Sequence, residues 1–399
     1  MIAGLPERPQ LPRPLHGRLA ADFDRFRTGL PADPAGHARE RYGVDLTGHY
    51  AGRMIRLPFG KASGQLSMTD SEVRADATAG LGFVVLKTVI AEDPAGTRAM
   101  EAWAIHETAM RVEQRRAASG REGWTVTWKG RGWDRSFEDY LALYGEALAI
   151  GGAAGMPVAA SVKYHLPEPG ADFRIAEYEH TTRRLAEIGG TDTIVEKDFS
   201  PTLAGDALAD QRDNVLRWIR DVAGLVKRQA PLTLGLKLMN ALFDDAFQVE
   251  MVEAARASGA DFLVLFNRLF DPRRGEAYGG WDLSDRNLRV LERCGEGAVP
   301  HCATGNIVSG RVMLEYARRG ATAGALHTFF QLPLGAYAAT AGNRAERALH
   351  ALLYHPDDGL IAWLLHLGET GALERRGGLL RFLDVAAGSA DSRLPTPDS

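Results

Sequence analysis

Residues 299–328 read VPHCATGNIVSGRVMLEYARRGATAGALHT, and this stretch decides the fold class. A short apolar run ends in a glycine turn at Gly305, and a helical pattern follows with Val312, Met313, Tyr316 and Ala317 at three- and four-residue spacing. Gly320 closes it and a second apolar run begins. Strand, glycine turn, amphipathic helix, glycine cap and strand make one βα unit of a parallel sheet.

The same beat recurs along the chain. It predicts eight strands: β1 Phe59–Gly64, β2 Gly82–Thr88, β3 Pro157–Tyr164, β4 Thr191–Lys197, β5 Leu232–Leu238, β6 Asp261–Asn267, β7 Val299–Thr304 and β8 Thr322–Thr328. Between them lie amphipathic stretches such as YEHTTRRLAEIGG (178–190) and NVLRWIRDVAGLVKRQ (214–229). Eight units predict an α/β fold, a closed (β/α)8 TIM barrel. The open doubly wound sheet is the alternative, but no GxGxxG opens its first turn.

Upstream, residues 1–43 form an arm rich in Pro, Arg and Ala, with one short helix near Gly17–Phe26. DLTGHYAGRMIRLP (45–58) then reads as a hairpin turned at Ala51–Gly52, placed to plug the barrel floor. The barrel is expected over 44–355, and a C-terminal helical extension and tail over 356–399. Two segments break the beat. Residues 90–134, between β2 and its helix, form a long lid-like insertion with a hairpin expected in EGWTVTWKGRGW (122–133); residues 270–283 follow β6. Both belong to the C-terminal face, where barrel active sites are built.

Of the 399 residues, 45% are hydrophobic and 25% charged, the balance of a soluble globular chain. A net charge of −4 argues against a nucleic-acid partner. The two cysteines form no CxxC pair, so neither a disulfide framework nor a cysteine-held metal is expected, and a reducing cytoplasm fits best. The apolar runs are too short to predict a membrane span or an export signal.

The strand ends carry the chemistry. Lys87, Lys163, Lys197 and Lys237 fall at or near the ends of β2 to β5, joined by Asn267 after β6 and His327 near the end of β8. One such lysine is commonly a solvated strand end; four on consecutive strands predict an electropositive mouth for an anionic cofactor, an anionic substrate or both. Gly305, Asn306, Ser309 and Gly310 sit between β7 and its helix, where backbone N–H groups bind phosphate. No metal site is expected.

These motifs, in this order, resemble the dihydroorotate dehydrogenases, nearer the soluble class 1 type. The hairpin leads through LPFGKASG (57–64) to an ASG ending like theirs, and GFVVLKT (82–88) resembles their second strand. LGLKL (234–238), ADFLVLFNRL (260–269) and TGNIVSG (304–310) resemble their strand 5 lysine, strand 6 asparagine and phosphate loop. The resemblance covers about residues 44–335. It implies FMN as cofactor, with Ala62, Ser63, Gly64 and Lys87 along the flavin and Lys237 near its N1/O2 edge. Asn267 would hold the ring or substrate, and Ser284, Gly305, Asn306, His327 and Thr328 would surround the phosphate.

The substrate half departs from that pattern. In GTDTIVEKDFSPT (190–202), an ungapped comparison puts Ser200 at the position of the family's proton-accepting base, with Pro201 kept. Lys197 and Thr202 then replace two asparagines, and Phe199 a serine. A second register aligns Glu196, Asp198 and Ser200 with the family's Glu, Asn and Ser. Serine is a weak base without a helper, and Lys197 or His165 qualifies. The insertion offers Trp124, Trp128, Lys129, Arg131 and Trp133 where the family has asparagines. The expectation is therefore an FMN-dependent dehydrogenase or reductase acting on a C–C or C–N bond, with a small anionic or heterocyclic substrate other than dihydroorotate. Ser200, Lys197 and Lys237 are its candidate catalytic groups, and Lys163, His165, Lys197, Trp128, Lys129 and Arg131 its substrate contacts. A soluble acceptor or oxygen would take the electrons, and family members of this type are often homodimers. Two other readings stay open: a non-redox lyase or isomerase using a strand-end lysine as Schiff base, and a flavin-binding protein without catalysis.

Overall fold

The computed structural model describes residues 5–100, 109–116, 122–129, 132–199, 211–271, 273–295 and 297–388. The eight expected strands are all present: β1 Phe59–Lys61, β2 Val84–Val85, β3 Val158–Lys163, β4 Ile194–Asp198, β5 Thr233–Lys237, β6 Phe262–Leu265, β7 His301–Thr304 and β8 Ala321–Leu326. Each pairs in parallel with the next, and β8 returns to β1 through Gly324–Phe59 to Leu326–Lys61, so the barrel is closed. The segment Val89–Ile90 continues β2 and pairs with the end of β3.

One helix follows each strand: α1 Asp70–Ala79, α2 Phe137–Ala154, α3 Ile175–Gly189, α4 Arg212–Lys227, α5 Asp245–Arg256, α6 Leu283–Cys294, α7 Gly310–Ala317 and α8 Arg344–Tyr354. Capping boxes start three of them, at Thr69/Glu72, Ser136/Asp139 and Asn343/Glu346, and satisfy N–H groups that the first helical turn leaves without partners.

Strand periodicity divides the apolar residues between two cores. One face of each strand packs on the helices; the other fills the barrel with Phe83, Val85, Ala159, Ile194, Phe262, Val264, Cys302 and Ala323. The hairpin Gly48–Tyr50/Arg53–Ile55 closes the floor, its turn made by Ala51 at φ 51° and Gly52 at φ 79°. Both angles are positive, as a two-residue hairpin turn of this hand demands. Tyr50 stacks on Phe83 with ring centroids 3.8 Å apart and donates a 2.7 Å hydrogen bond to Glu196 Oε1.

The arm holds two helices where one was expected, Arg13–Arg25 and Pro34–Tyr42. The first packs on α8, with Phe23 stacked on His350. Beyond α8, α9 Leu360–Glu369 buries every residue from Leu360 to Leu367 against α7, α8 and the second arm helix. Its apolar surface is thus spent within the chain. Leu380–Arg381 pairs in parallel with Val44–Asp45, tying the extension to the residues that lead into the hairpin.

The insertion differs from its expected form. Glu122–Lys129 is a single strand, and its antiparallel partner is Ala109–Arg116 rather than the residues just after it. On its other edge it pairs with Glu276–Gly280, which pairs in turn with Leu269–Asp271. The two long excursions therefore join in one four-stranded sheet at the C-terminal face. The Thr125 hydroxyl donates to the Gly279 carbonyl at 3.2 Å across that junction. No helix among the described residues is long and apolar enough to cross a membrane.

Candidate functional site

At the C-terminal mouth a cavity of about 740 Å³, part of it open to solvent, is lined by residues from the ends of all eight strands. That position, the C-terminal mouth of the barrel, is where barrels build their small-molecule sites. Of the residues expected around the cofactor, Ala62, Ser63, Lys87, Lys237, Asn267, Gly305, Asn306, His327 and Thr328 line it together. Gly279 and Gly280 of the four-stranded sheet form part of its wall. Gly64 and Ser284 stand just behind. A Cβ on Gly64 would meet His327 Nε2, and Ser284 Oγ accepts the Asn306 side-chain amide at 3.0 Å.

The β7 turn is held from below. Asn287 of α6 donates to the Thr304 carbonyl at 2.9 Å, and the Tyr316 hydroxyl of α7 donates to the Gly305 carbonyl at 2.7 Å. With Gly305 at φ 105° and Asn306 at φ 55°, the turn is wound so that its carbonyls are tied down. The backbone N–H groups of Asn306, Ile307 and Val308 make no hydrogen bond among the described residues. Three neighbouring donors with no partner among the described residues, in a cavity wall, are an arrangement able to receive an anion.

The lysines supply the charge. Lys87, Lys163 and Lys237 are all buried and all line the cavity, joined by Arg268, which the strand-end reading missed although it directly follows Asn267. Lys237 is 4% exposed and has no hydrogen-bond or ion-pair partner among the described residues. Burial, followed by Lys163 and Arg268, pushes the Lys87 ammonium down to about 7. Asp198 is the one carboxylate that lines the cavity among the described residues. Burial pushes its pKa up, but Lys163, Lys237, Arg268 and Lys197 together more than offset this and hold it below the usual range.

Lys197 is not brought to the cavity. Along β4 the side chains alternate, so Glu196 and Asp198 face the barrel interior while Lys197 points away. Its Nζ donates to the Asp198 carbonyl at 3.2 Å and lies 4.7 Å from the centre of the Phe199 ring. Burial lowers it to about 7. His165 does not line the cavity either, and is pushed down to about 4 by burial and then by Arg174 and Lys197. Glu196 and Asp198 share the inward parity of the second register considered for this strand.

Ser200 and Arg131 lie outside the described residues, and of Trp128 and Lys129 only the backbone is described. Trp133 is not a lid residue: it is 1% exposed, and its indole N–H donates to the Ser136 carbonyl at 2.8 Å, locking the start of α2. The buried Lys61–Asp76 ion pair, which ties β1 to α1, is a feature that sequence reasoning missed. Asp76 is raised to about 6 by burial, against the opposing pull of Lys61. No protein-family model matches the chain, and no curated protein is similar to it.

Proposed function

We propose that this chain is an FMN-dependent oxidoreductase that resembles the dihydroorotate dehydrogenases in its cofactor half and acts on a different small anionic or heterocyclic substrate. The observation that carries the reading is one cavity that joins the buried Lys237 to the backbone N–H groups of Asn306, Ile307 and Val308, none of which has a hydrogen-bond partner among the described residues. A buried cation and a row of free donors both cost stability unless an anion or acceptor meets them. A ligand that carries both a phosphate and a ring with hydrogen-bond acceptors satisfies both, and flavin mononucleotide is such a ligand.

In this reading Asn306 to Val308, with Thr328, hold the phosphate, and Ala62 and Ser63 line the ring. Lys237 would offset the negative charge that a bound flavin gains on reduction. Bound FMN supplies a two-electron acceptor for hydride, while the protein orients it and sets its electrostatics. Ser63 Oγ lies 2.7 Å from Thr88 Oγ1, which lies 2.9 Å from Ser161 Oγ, so the wall beside Lys87 is a hydrogen-bonded chain of hydroxyls of the kind that relays a proton.

The test is the visible spectrum of the purified protein and its titration with FMN. Flavin absorbance at one equivalent per chain, bleached anaerobically by one member of a panel of small acids and heterocycles, is the expected result. A colourless protein that takes up no FMN sinks the proposal. Lys87, held down to about 7 in the cavity, gives the Schiff-base lyase reading its own foothold. Borohydride trapping of a carbonyl substrate on that lysine, in protein that takes up no flavin, is the result that reading expects.

A further inference from the structure

Of the chain's eleven histidines, His16, His37, His350, His355 and His366 lie along one seam, where the N-terminal arm meets α8, α9 and the turn between them. Two of them carry the arm. His350 of α8 is buried, stacks on Phe23 with ring centroids 4.2 Å apart, and donates from Nε2 to the Phe23 carbonyl at 2.7 Å. A carbonyl only accepts, so the proton of the neutral ring sits on Nε2 and Nδ1 is bare. That Nδ1 is buried and has no hydrogen-bond partner among the described residues. His366 of α9, also buried, takes the opposite role: its Nδ1 accepts the Gln10 backbone N–H at 3.0 Å, while the Gln10 carbonyl lies 3.5 Å away. A second proton on either ring must go to Nδ1. At His350 no acceptor meets it, and at His366 it displaces the Gln10 N–H.

We propose that the arm is an acid-labile strap, fastened to α8 and α9 at neutral pH by His350 and His366 in their neutral forms and released as those two rings take up protons. The strap reaches toward the cavity. The Arg27 carbonyl accepts the Thr340 N–H at 2.8 Å, and Arg27 Nε donates to the Ala338 carbonyl at 3.1 Å. Release therefore frees the far end of a connection that begins at Thr328, a cavity residue, and leads into α8.

The charged groups around the seam do not reverse the sign. Burial lowers the His350 pKa, Arg27 and His355 add to that, and the Phe23 carbonyl and Asp24 oppose it. His366 meets the Trp363 ring edge-on at 5.4 Å, and Arg311 of α7 lies over the same indole at 5.6 Å. The carboxylates of the seam belong to other rings. His16 Nε2 lies 3.1 Å from Asp357 Oδ1, a pair that gains on protonation but is exposed and screened. His37 Nε2 lies 3.7 Å from Asp22, which Arg41 and Tyr42 already bond; burial lowers His37 against the pull of Asp22, with Arg41 and Arg25 assisting. A ring that refuses a proton while the strap is closed, and accepts one when it is open, gives a strap complete above about pH 6.5. It weakens as pH falls, by at most about tenfold per pH unit for each ring.

The experiment is hydrogen–deuterium exchange of the full-length protein between pH 7.5 and 5, corrected for intrinsic rates and read by peptide mass spectrometry, with α4, outside the seam, as internal reference. Protection of the arm peptides is expected to fall at least about tenfold more than that of α4, the effect of one ring over one pH unit. A smaller difference overturns the proposal, and that result needs no variant. His350→Gln keeps a donor for the Phe23 carbonyl and His366→Asn an acceptor for the Gln10 N–H, and neither replacement titrates. In the double variant the excess loss shrinks by at least half on a logarithmic scale; an arm that still loosens fully in the folded double variant overturns the proposal. Should the double variant not fold, His366→Asn alone must reduce the loss at the peptide holding Gln10, and an unchanged loss there is the overturning result.

Discussion

Gly64 and His327 meet with no room between them: a Cβ built on Gly64 lies 1.8 Å from His327 Nε2. The same nitrogen accepts the Gln65 backbone N–H at 3.2 Å and lies 3.2 Å from Gln331 Nε2, so the ring is clamped between β1 and the turn after β8. Gly64→Ala therefore forces out a buried imidazole rather than the tip of a flexible chain. We expect it to cost about 1–3 kcal/mol in urea unfolding. His327→Gly in the same chain removes the clash and recovers most of that loss; if it recovers nothing, the contact is not what makes Gly64 necessary.

An Nε2 that accepts a backbone N–H carries no proton, which makes His327 neutral with its proton on Nδ1. Burial, reinforced by Lys87, Arg268, Lys237 and Lys61, holds its pKa well below 6.5. His301, buried at the start of β7, is pushed down to about 4 by burial and Arg256. The sign follows directly. Below pH 6.5 the unfolded chain binds protons on these rings that the folded chain refuses, so their contribution is complete above 6.5 and lost as pH falls toward 4. The slope is at most about 1.4 kcal/mol per pH unit for each ring. Carboxylates raised by burial, such as Asp76, act in the opposite sense over part of this range, so the measurement is a difference. The urea stability of wild type relative to His301→Phe should decline between pH 6.5 and 5 and stay level from 7 to 8; a level difference throughout refutes the assignment.

Lys237→Met tests whether this buried cation serves a ligand or the fold. Methionine matches the length of the stem, and no hydrogen bond or ion pair among the described residues is broken. The unfolding midpoint is expected not to fall. FMN affinity, followed by quenching of flavin fluorescence, is expected to weaken at least about tenfold, or roughly 1.4 kcal/mol. Unchanged affinity removes Lys237 from the site.

What the sequence made legible was whatever depends on local period. Glycine turns, three- and four-residue helical spacing and short apolar runs located all eight strands and the Ala51–Gly52 hairpin, because those signals act within a few residues. Strand parity was harder. A lysine at the end of β4 looked equivalent to those on β2, β3 and β5, yet an offset of one residue sends Lys197 outward and Asp198 inward. Pairings between distant segments were not legible at all. Nothing local tells residues 122–129 to prefer 109–116 and 276–280 as neighbours. Gly310, read as part of a phosphate turn, has a different reason to be glycine: a Cβ there lies 1.9 Å from the Leu360 backbone nitrogen, where α7 and α9 touch.

The floor of the barrel offers the sharpest test of how plug and wall are joined. Among the described residues Tyr50 is the one hydrogen-bond partner of the Glu196 side chain, both groups are buried, and burial raises Glu196 against the pull of Lys237. Tyr50→Phe keeps the ring stacked on Phe83 and removes only the hydroxyl, leaving a buried carboxylate oxygen without its donor. The expected cost is about 1–3 kcal/mol by urea denaturation. Glu196→Gln keeps an acceptor for the hydroxyl and removes the charge, so it costs less. In the double variant the two losses are not additive, with a coupling of at least about 0.5 kcal/mol. Strict additivity shows that the hairpin is held by the Tyr50–Phe83 stack alone.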